Sequence, residues 1–168
     1  AKRGEFWLTV HSRVDFYEPA YLMQELTAGT WPERCAGRDI RCFRGYSLTR
    51  GEKLIARGRT QWAILGPEKK ILRFEQSGFP EDYPFADHPG LTDEPTRFHD
   101  DFTEADLCWT HPVRATDIDM GRHVNNVVYI GLLLDCFPAK TLADGSIRSI
   151  EAHYASPCLE GETLGIYC

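Results

Sequence analysis

The sequence predicts an α+β fold in which antiparallel sheet wraps around one central helix. Three observations point there. Over residues 5–74, runs rich in β-branched and aromatic residues are separated by turns carrying Gly, and no helical period is sustained. From residue 107 onward the order changes to strand, polar turn, apolar helix and two further strands. A composition of 42% hydrophobic and 26% charged residues is that of an ordinary folded domain, which excludes a disordered or fibrous chain.

Taken in order, residues 5–14 form the first strand, with apolar side chains at alternate positions near both ends, and residues 21–31 and 38–48 read as the second and third. Thr49-Arg50-Gly51-Glu52 is a turn, with Gly51 where a hairpin needs a positive φ. Residues 53–65 are a fourth strand that sets Leu54, Ala56, Gly58, Thr60, Trp62 and Ile64 on one face against Lys53, Ile55, Arg57, Arg59 and Gln61 on the other. Gly66-Pro67-Glu68-Lys69 turns the chain and residues 71–74 continue the meander. Four prolines then punctuate an acidic stretch with little periodicity, so residues 76–106 read as a linker over the surface between residues 1–75 and 107–168. After it come a strand at 107–116 and a polar turn at 117–123. A helix of about a dozen residues comes next, capped by Asn125 or Asn126 and ended by Pro138. That helix is apolar over most of its surface, which predicts burial. Strands at 146–155 and 163–168 close the chain.

Charge and cysteine usage narrow the function classes. The net charge is −6, yet residues 34–73 hold eleven Lys and Arg against three acids, and residues 81–106 hold nine acids against Arg97 alone. The basic block is a candidate docking face for an acidic partner; solvated strand faces account for it equally well. No run approaches the roughly 18 apolar residues of a membrane helix, no secretory signal opens the chain, and no phosphate loop or nucleic-acid module is present. The six cysteines (35, 42, 108, 136, 158 and 168) form no CxxC pair and no zinc spacing, so reduced thiols are expected. His88 and His99 lie in the acidic stretch beside Asp87, Asp100 and Asp101 and read as solvated, His153 reads as a sheet residue, and Trp7, Trp31, Trp62 and Trp109 are expected in the core.

The densest chemistry is Asp117-Ile118-Asp119-Met120-Gly121-Arg122-His123-Val124-Asn125-Asn126, directly ahead of the apolar helix. Free N–H groups and partial positive charge at a helix N-terminus suit a carbonyl or a developing oxyanion. A His four residues after Asp119 is placed to bond that carboxylate or to orient a reacting group. An elaborate helix cap accounts for the same residues. Cys158 with His123 is a further pairing, of thiol and imidazole, for which an inert buried Cys is the plainer account.

Extended through Val127-Val128-Tyr129-Ile130-Gly131, this segment resembles the motif of the acyl-ACP thioesterases, the plant and bacterial double-hotdog family, in which it reads roughly D-L-D-M-N-x-H-V-N-N-V-x-Y-I-G. Trp7-Leu8-Thr9, Thr30-Trp31-Pro32, Gly51 to Ala56 with Trp62, and Ser149-Ile150-Glu151 with Tyr154 extend the likeness over nearly the whole chain. The resemblance implies a tandem hotdog fold: a partial first domain at 1–75, the acidic linker at 76–106, and a partial second domain at 107–168, the chain being truncated at both ends. It implies that Asp119 and His123 are the catalytic pair and that Asn126 stands at the head of the central helix. Two positions depart: Gly121 stands where the family has Asn, and Pro157 where it has a catalytic Glu, while Cys158 matches the adjoining Cys. Glu160 and Glu151 are the nearby candidates for a general base. The activity implied by the resemblance is that of a thioesterase releasing fatty acid from acyl carrier protein, in the cytoplasm or, for a plant protein, the plastid stroma. An acyl-CoA thioesterase and a non-catalytic acyl-thioester binder are the competing readings. No metal or organic cofactor, nucleic acid or membrane is called for, and a homodimer is left open.

Overall fold

Gly51, at φ +57°, closes a hairpin between β3 (Cys42–Arg50) and β4 (Lys53–Leu65), where the sequence places its turn. The computed structural model describes residues 4–80, 82–144 and 147–168. Glu81 of the acidic run and Ser146, the expected start of a strand, lie outside the described residues. On β4 both faces are covered: Ile55 and Ala56, then Ala63 and Ile64, are consecutive and no more than 6% exposed. Burial on both faces is the signature of a central strand. Accordingly β1 (Phe6–Phe16) and β3 flank β4, β2 (Thr27–Pro32) pairs with β3, and β6 (Ser149–His153) completes the antiparallel order β2-β3-β4-β1-β6. Among the described residues the second sheet is a pair, β5 (Leu107–Pro112) with β7 (Thr163–Tyr167). Two helices come after β5: α1 (Asn126–Leu134) and α2 (Ala139–Asp144).

The chain forms two compact units, Ala1–Pro95 with Arg148–His153, and Thr96–Ile147 with Tyr154–Cys168. Against the expected 1–75, 76–106 and 107–168, the second unit takes 96–106 and the first takes 76–95 and 148–153, and two sets of contacts account for the first unit's share. First, β6 belongs to the first unit: Val14 faces Ile150 in its ladder with β1, and the imidazole of His11 lies 2.7 Å from Glu151. Second, residues 85–91 pack onto the first sheet instead of running free. Glu33, 6% exposed, accepts three bonds at 2.6–3.1 Å from Arg59 and a fourth, 2.8 Å, from the Gly90 amide. A Cβ on Gly90 would stand 2.2 Å from the Gly58 carbonyl, so only glycine lets this segment lie against the sheet.

Several element boundaries differ from the expected ones. β2 begins at Thr27 rather than residue 21, because Met23 is left-handed (φ +67°) and the Gln24 side chain takes the Tyr21 amide at 3.1 Å. β3 begins at Cys42 because Asp39 folds 36–39 into a turn, accepting the Ala36 amide at 2.7 Å. Residues 71–74 supply one bridge, Ile71 to Leu65, and then a short 3-10 turn. β5 ends at Pro112, and beyond Val113 the Asp117 carboxylate takes the Arg114 amide at 2.9 Å and folds Ala115–Asp117 into a 3-10 turn. α1 spans nine residues, and the helix resumes as α2 after Pro138. The expected burial of α1 is not found: Leu132 alone is buried, while Val127 is 71% exposed. None of the four tryptophans is fully buried, and Trp7, at the start of β1, is 37% exposed.

Candidate active site

The second unit builds the site from a tight backbone loop. Asp119 donates its amide to the His123 carbonyl at 3.0 Å, and the Asp119 carbonyl accepts the Arg122 amide at 3.0 Å. An isolated antiparallel bridge, Ile118 to Val124, closes the loop, and Arg122 takes its left-handed position (φ +63°). The result sets Asp119 and His123 side by side: Nδ1 of His123 lies 3.7 Å from Oδ1 of Asp119, and each side chain is about one third exposed, at 32% and 33%. Asp119 Oδ1 is itself fixed by the Gly121 amide at 2.7 Å. The carboxylate is thus positioned to orient an imidazole that remains open to a ligand.

Gly121 has a specific steric role here. It is not left-handed, so no turn geometry demands glycine. A Cβ on it, however, would stand 2.9 Å from Asp119 Oδ1 and 2.9 Å from both Cε1 and Nε2 of His123. The absent side chain is the space into which carboxylate and imidazole close.

A second layer holds the loop. His111 Nε2 lies 2.8 Å from Asp117 Oδ2, which also accepts the Arg114 amide at 2.9 Å. These bonds, the amide first, hold the Asp117 carboxyl below its ordinary value. The Asp117 carbonyl accepts the Asn125 amide at 2.8 Å, and Val124, 1% exposed, donates its amide to the Cys158 carbonyl at 2.9 Å. Between the two cap candidates the structure selects Asn125, whose Oδ1 accepts the Val127 amide at 3.0 Å, and Asn126 becomes the first helical residue. His111 was missed by sequence reasoning. The available signal was its place on the inward face of β5 with Leu107 and Trp109, six residues before Asp117.

The remaining candidates are placed differently. Cys158 shares a hydrogen bond with the Tyr129 hydroxyl, which burial and then that bond push up to about 12. Pro157 and Glu160 are exposed, Glu160 in the turn that leads to β7. Glu151 is in the first unit, committed to His11. His88 is exposed with its ring 5.0 Å from Trp31, and His99 is exposed. In the basic block, Arg34, Lys53, Arg59, Lys70 and Arg73 are paired with Asp87, Glu18, Glu33, Glu68 and Glu75. Much of its charge is therefore met inside the chain. The first unit also holds a cavity of about 300 Å³ walled by Trp7, Phe43, Trp62, Phe74, Phe79 and Phe85. In its wall, the bond from Cys42 lowers the Cys35 thiol to about 7 and pushes Cys42 up.

Residues 101–168, which contain the whole Asp119–His123 loop, match the family model of the acyl-ACP thioesterase C-terminal domain. That match covers 68 of the 168 residues. A 51-residue stretch is 35% identical to the chloroplastic oleoyl-acyl carrier protein thioesterase of Coriandrum sativum, covering 30% of this chain and 14% of that relative. The fold is that of the solved acyl-ACP thioesterase from Bacteroides thetaiotaomicron, with TM-score 0.82 and 24% identity over 98% of this chain and 66% of that one. The 12:0-ACP thioesterase from Umbellularia californica superposes with TM-score 0.76 and 14% identity over 96% of this chain and 60% of that one. The chain thus spans under two thirds of the length of these thioesterases, and its α+β architecture is their hotdog fold. No helix among the described residues is long and apolar enough to cross a membrane.

Proposed function

We propose that this chain carries the catalytic loop of a thioester hydrolase that releases free fatty acid from acyl carrier protein, in the cytoplasm or the plastid stroma. The observation that carries the reading is the Asp119–His123 pair, 3.7 Å apart and open to ligand beside the Asn125-capped start of α1. His123 positions the thioester and the attacking water, Asp119 orients the imidazole, and the partial positive charge at the head of α1 favours the developing oxyanion. Gly121 lets the pair close. The basic side chains without a carboxylate partner among the described residues, Arg41 and Arg44 included, are the candidate contacts for an acidic carrier.

A second reading has its own support. Pro157 can neither accept a proton nor activate water, and Glu151 is bonded to His11. These features favour an acyl-thioester binder without turnover. Acyl-ACP and acyl-CoA hydrolysis, measured side by side with the same acyl chain, separates the readings. Turnover of acyl-ACP at a higher kcat/KM than acyl-CoA is the expected result. Higher kcat/KM for acyl-CoA makes the protein a CoA thioesterase, and binding of acyl-ACP with no release of acid leaves the binder.

A further inference from the structure

We propose that Cys108, Cys136 and Cys168 form a three-thiolate site for Zn²⁺, apart from the catalytic loop. The three sulfur atoms lie within 4.8 Å of one another. Zinc with bonds of about 2.3 Å to sulfur sets tetrahedral thiolates about 3.8 Å apart. The sulfurs are thus within about 1 Å of that spacing.

Three elements of the second unit deliver these thiols. Cys108 sits at the irregularity where the β5–β7 register shifts between Leu107 and Trp109, and such a bulge re-aims a side chain. Cys168 directly follows β7, its amide bonded to the Asp106 carbonyl at 3.0 Å. Cys136 lies just past the end of α1, its amide bonded to the Leu133 carbonyl at 3.1 Å. Cys136 is half-buried while Cys108 and Cys168 are exposed, which leaves an entry path and room for water as a fourth ligand.

The donor chemistry selects the ion. Three sulfurs with no carboxylate or imidazole in the set favour a soft, thiophilic metal over Mg²⁺ or Ca²⁺. The Cys108 thiol also lies 3.8 Å from the Asp106 carbonyl and the Cys136 thiol 4.0 Å from the Leu132 carbonyl. A metal ion takes the place of the protons. It would also tie the end of α1 to β5 and β7.

The test uses the 168-residue chain, reduced and stripped of metal, titrated with Co²⁺ and then with competing Zn²⁺. Expected are one Co²⁺ per chain, a thiolate-to-cobalt charge-transfer band, and displacement by Zn²⁺. Loss of an outer partner alone costs about 10- to 100-fold in affinity, so Cys108→Ser, Cys136→Ser and Cys168→Ser should each weaken binding by about 100-fold or more. Cys35→Ser/Cys42→Ser should leave it unchanged. If a serine variant does not fold, mass-spectrometric alkylation of the wild type replaces it: Zn²⁺ should protect these three cysteines and not Cys35. Absence of the charge-transfer band, binding that survives all three serine variants, or unprotected thiols overturns the site. Binding of Cu⁺ with no displacement of Co²⁺ by Zn²⁺ overturns the assignment to zinc.

Discussion

Replacing Gly121 by alanine and by asparagine separates the steric role of this position from the chemical one. The built Cβ lies 2.9 Å from the Asp119 carboxylate and from the Cε1–Nε2 edge of His123. Ordinary carbon contacts sit near about 3.5 Å, so imidazole or carboxylate must give by about half an ångström. A misplacement of about 1 Å costs on the order of 10²-fold in rate, which makes about tenfold the expected loss in kcat/KM for Gly121→Ala. Gly121→Asn carries the same displacement and adds an amide donor of the kind that stabilises developing charge. Asparagine is therefore expected about tenfold above alanine, near the wild type. Because Gly121 is not left-handed, neither change demands an unfavourable φ of the new residue. Initial rates of acyl-ACP hydrolysis, with urea midpoints as the folding control, check each value. A folded Gly121→Ala protein with wild-type kcat/KM would remove Asp119 and His123 from the chemistry. Equal rates for alanine and asparagine would refute the amide contribution.

The same geometry sets three other outcomes. His123→Ala should cost about 100-fold or more in kcat/KM with an unchanged unfolding midpoint, and a loss under twofold would exclude His123 as the catalytic imidazole. Asp117, held below its ordinary 3.8, contributes stability that is complete above about pH 4 and fades as pH falls through the lowered value. The Asp117→Asn and wild-type stability curves should therefore differ at neutral pH and converge in acid; a constant offset at every pH would show that the charge is irrelevant. Gly58→Ala should destabilise the first unit by about 1–3 kcal/mol, since the new Cβ would lie 2.1 Å from the Tyr46 ring. In a Tyr46→Ala background the penalty should vanish in chemical denaturation, and its persistence would point to the backbone.

Much of the fold was legible because it rests on short-range rules. The β3–β4 hairpin is written in the left-handed Gly51 and in the period-two pattern of the strand after it. The polar loop and the Asn cap ahead of α1 are local as well, since each hydrogen bond from Asp119 to His123 spans at most four residues. Strand starts were less legible where a side chain competed with the ladder. Asp39 and Gln24 each captured an amide three residues away, and no hydrophobic pattern registers that.

The sequence by itself determined an antiparallel α+β chain, the loop carrying Asp119 and His123, and the helix beyond it, because these depend on residues that are neighbours along the chain. The tertiary structure decided what depends on distant partners. Glu151, a candidate base by position, is spent on His11, 140 residues away, because β6 pairs with β1. Gly121 is a cleft for two side chains rather than a left-handed turn residue, which only the three-dimensional geometry shows. Cys108, Cys136 and Cys168 have no spacing that any motif would register. They meet because a bulge, a helix end and a strand end converge, and convergence in space leaves no period in sequence.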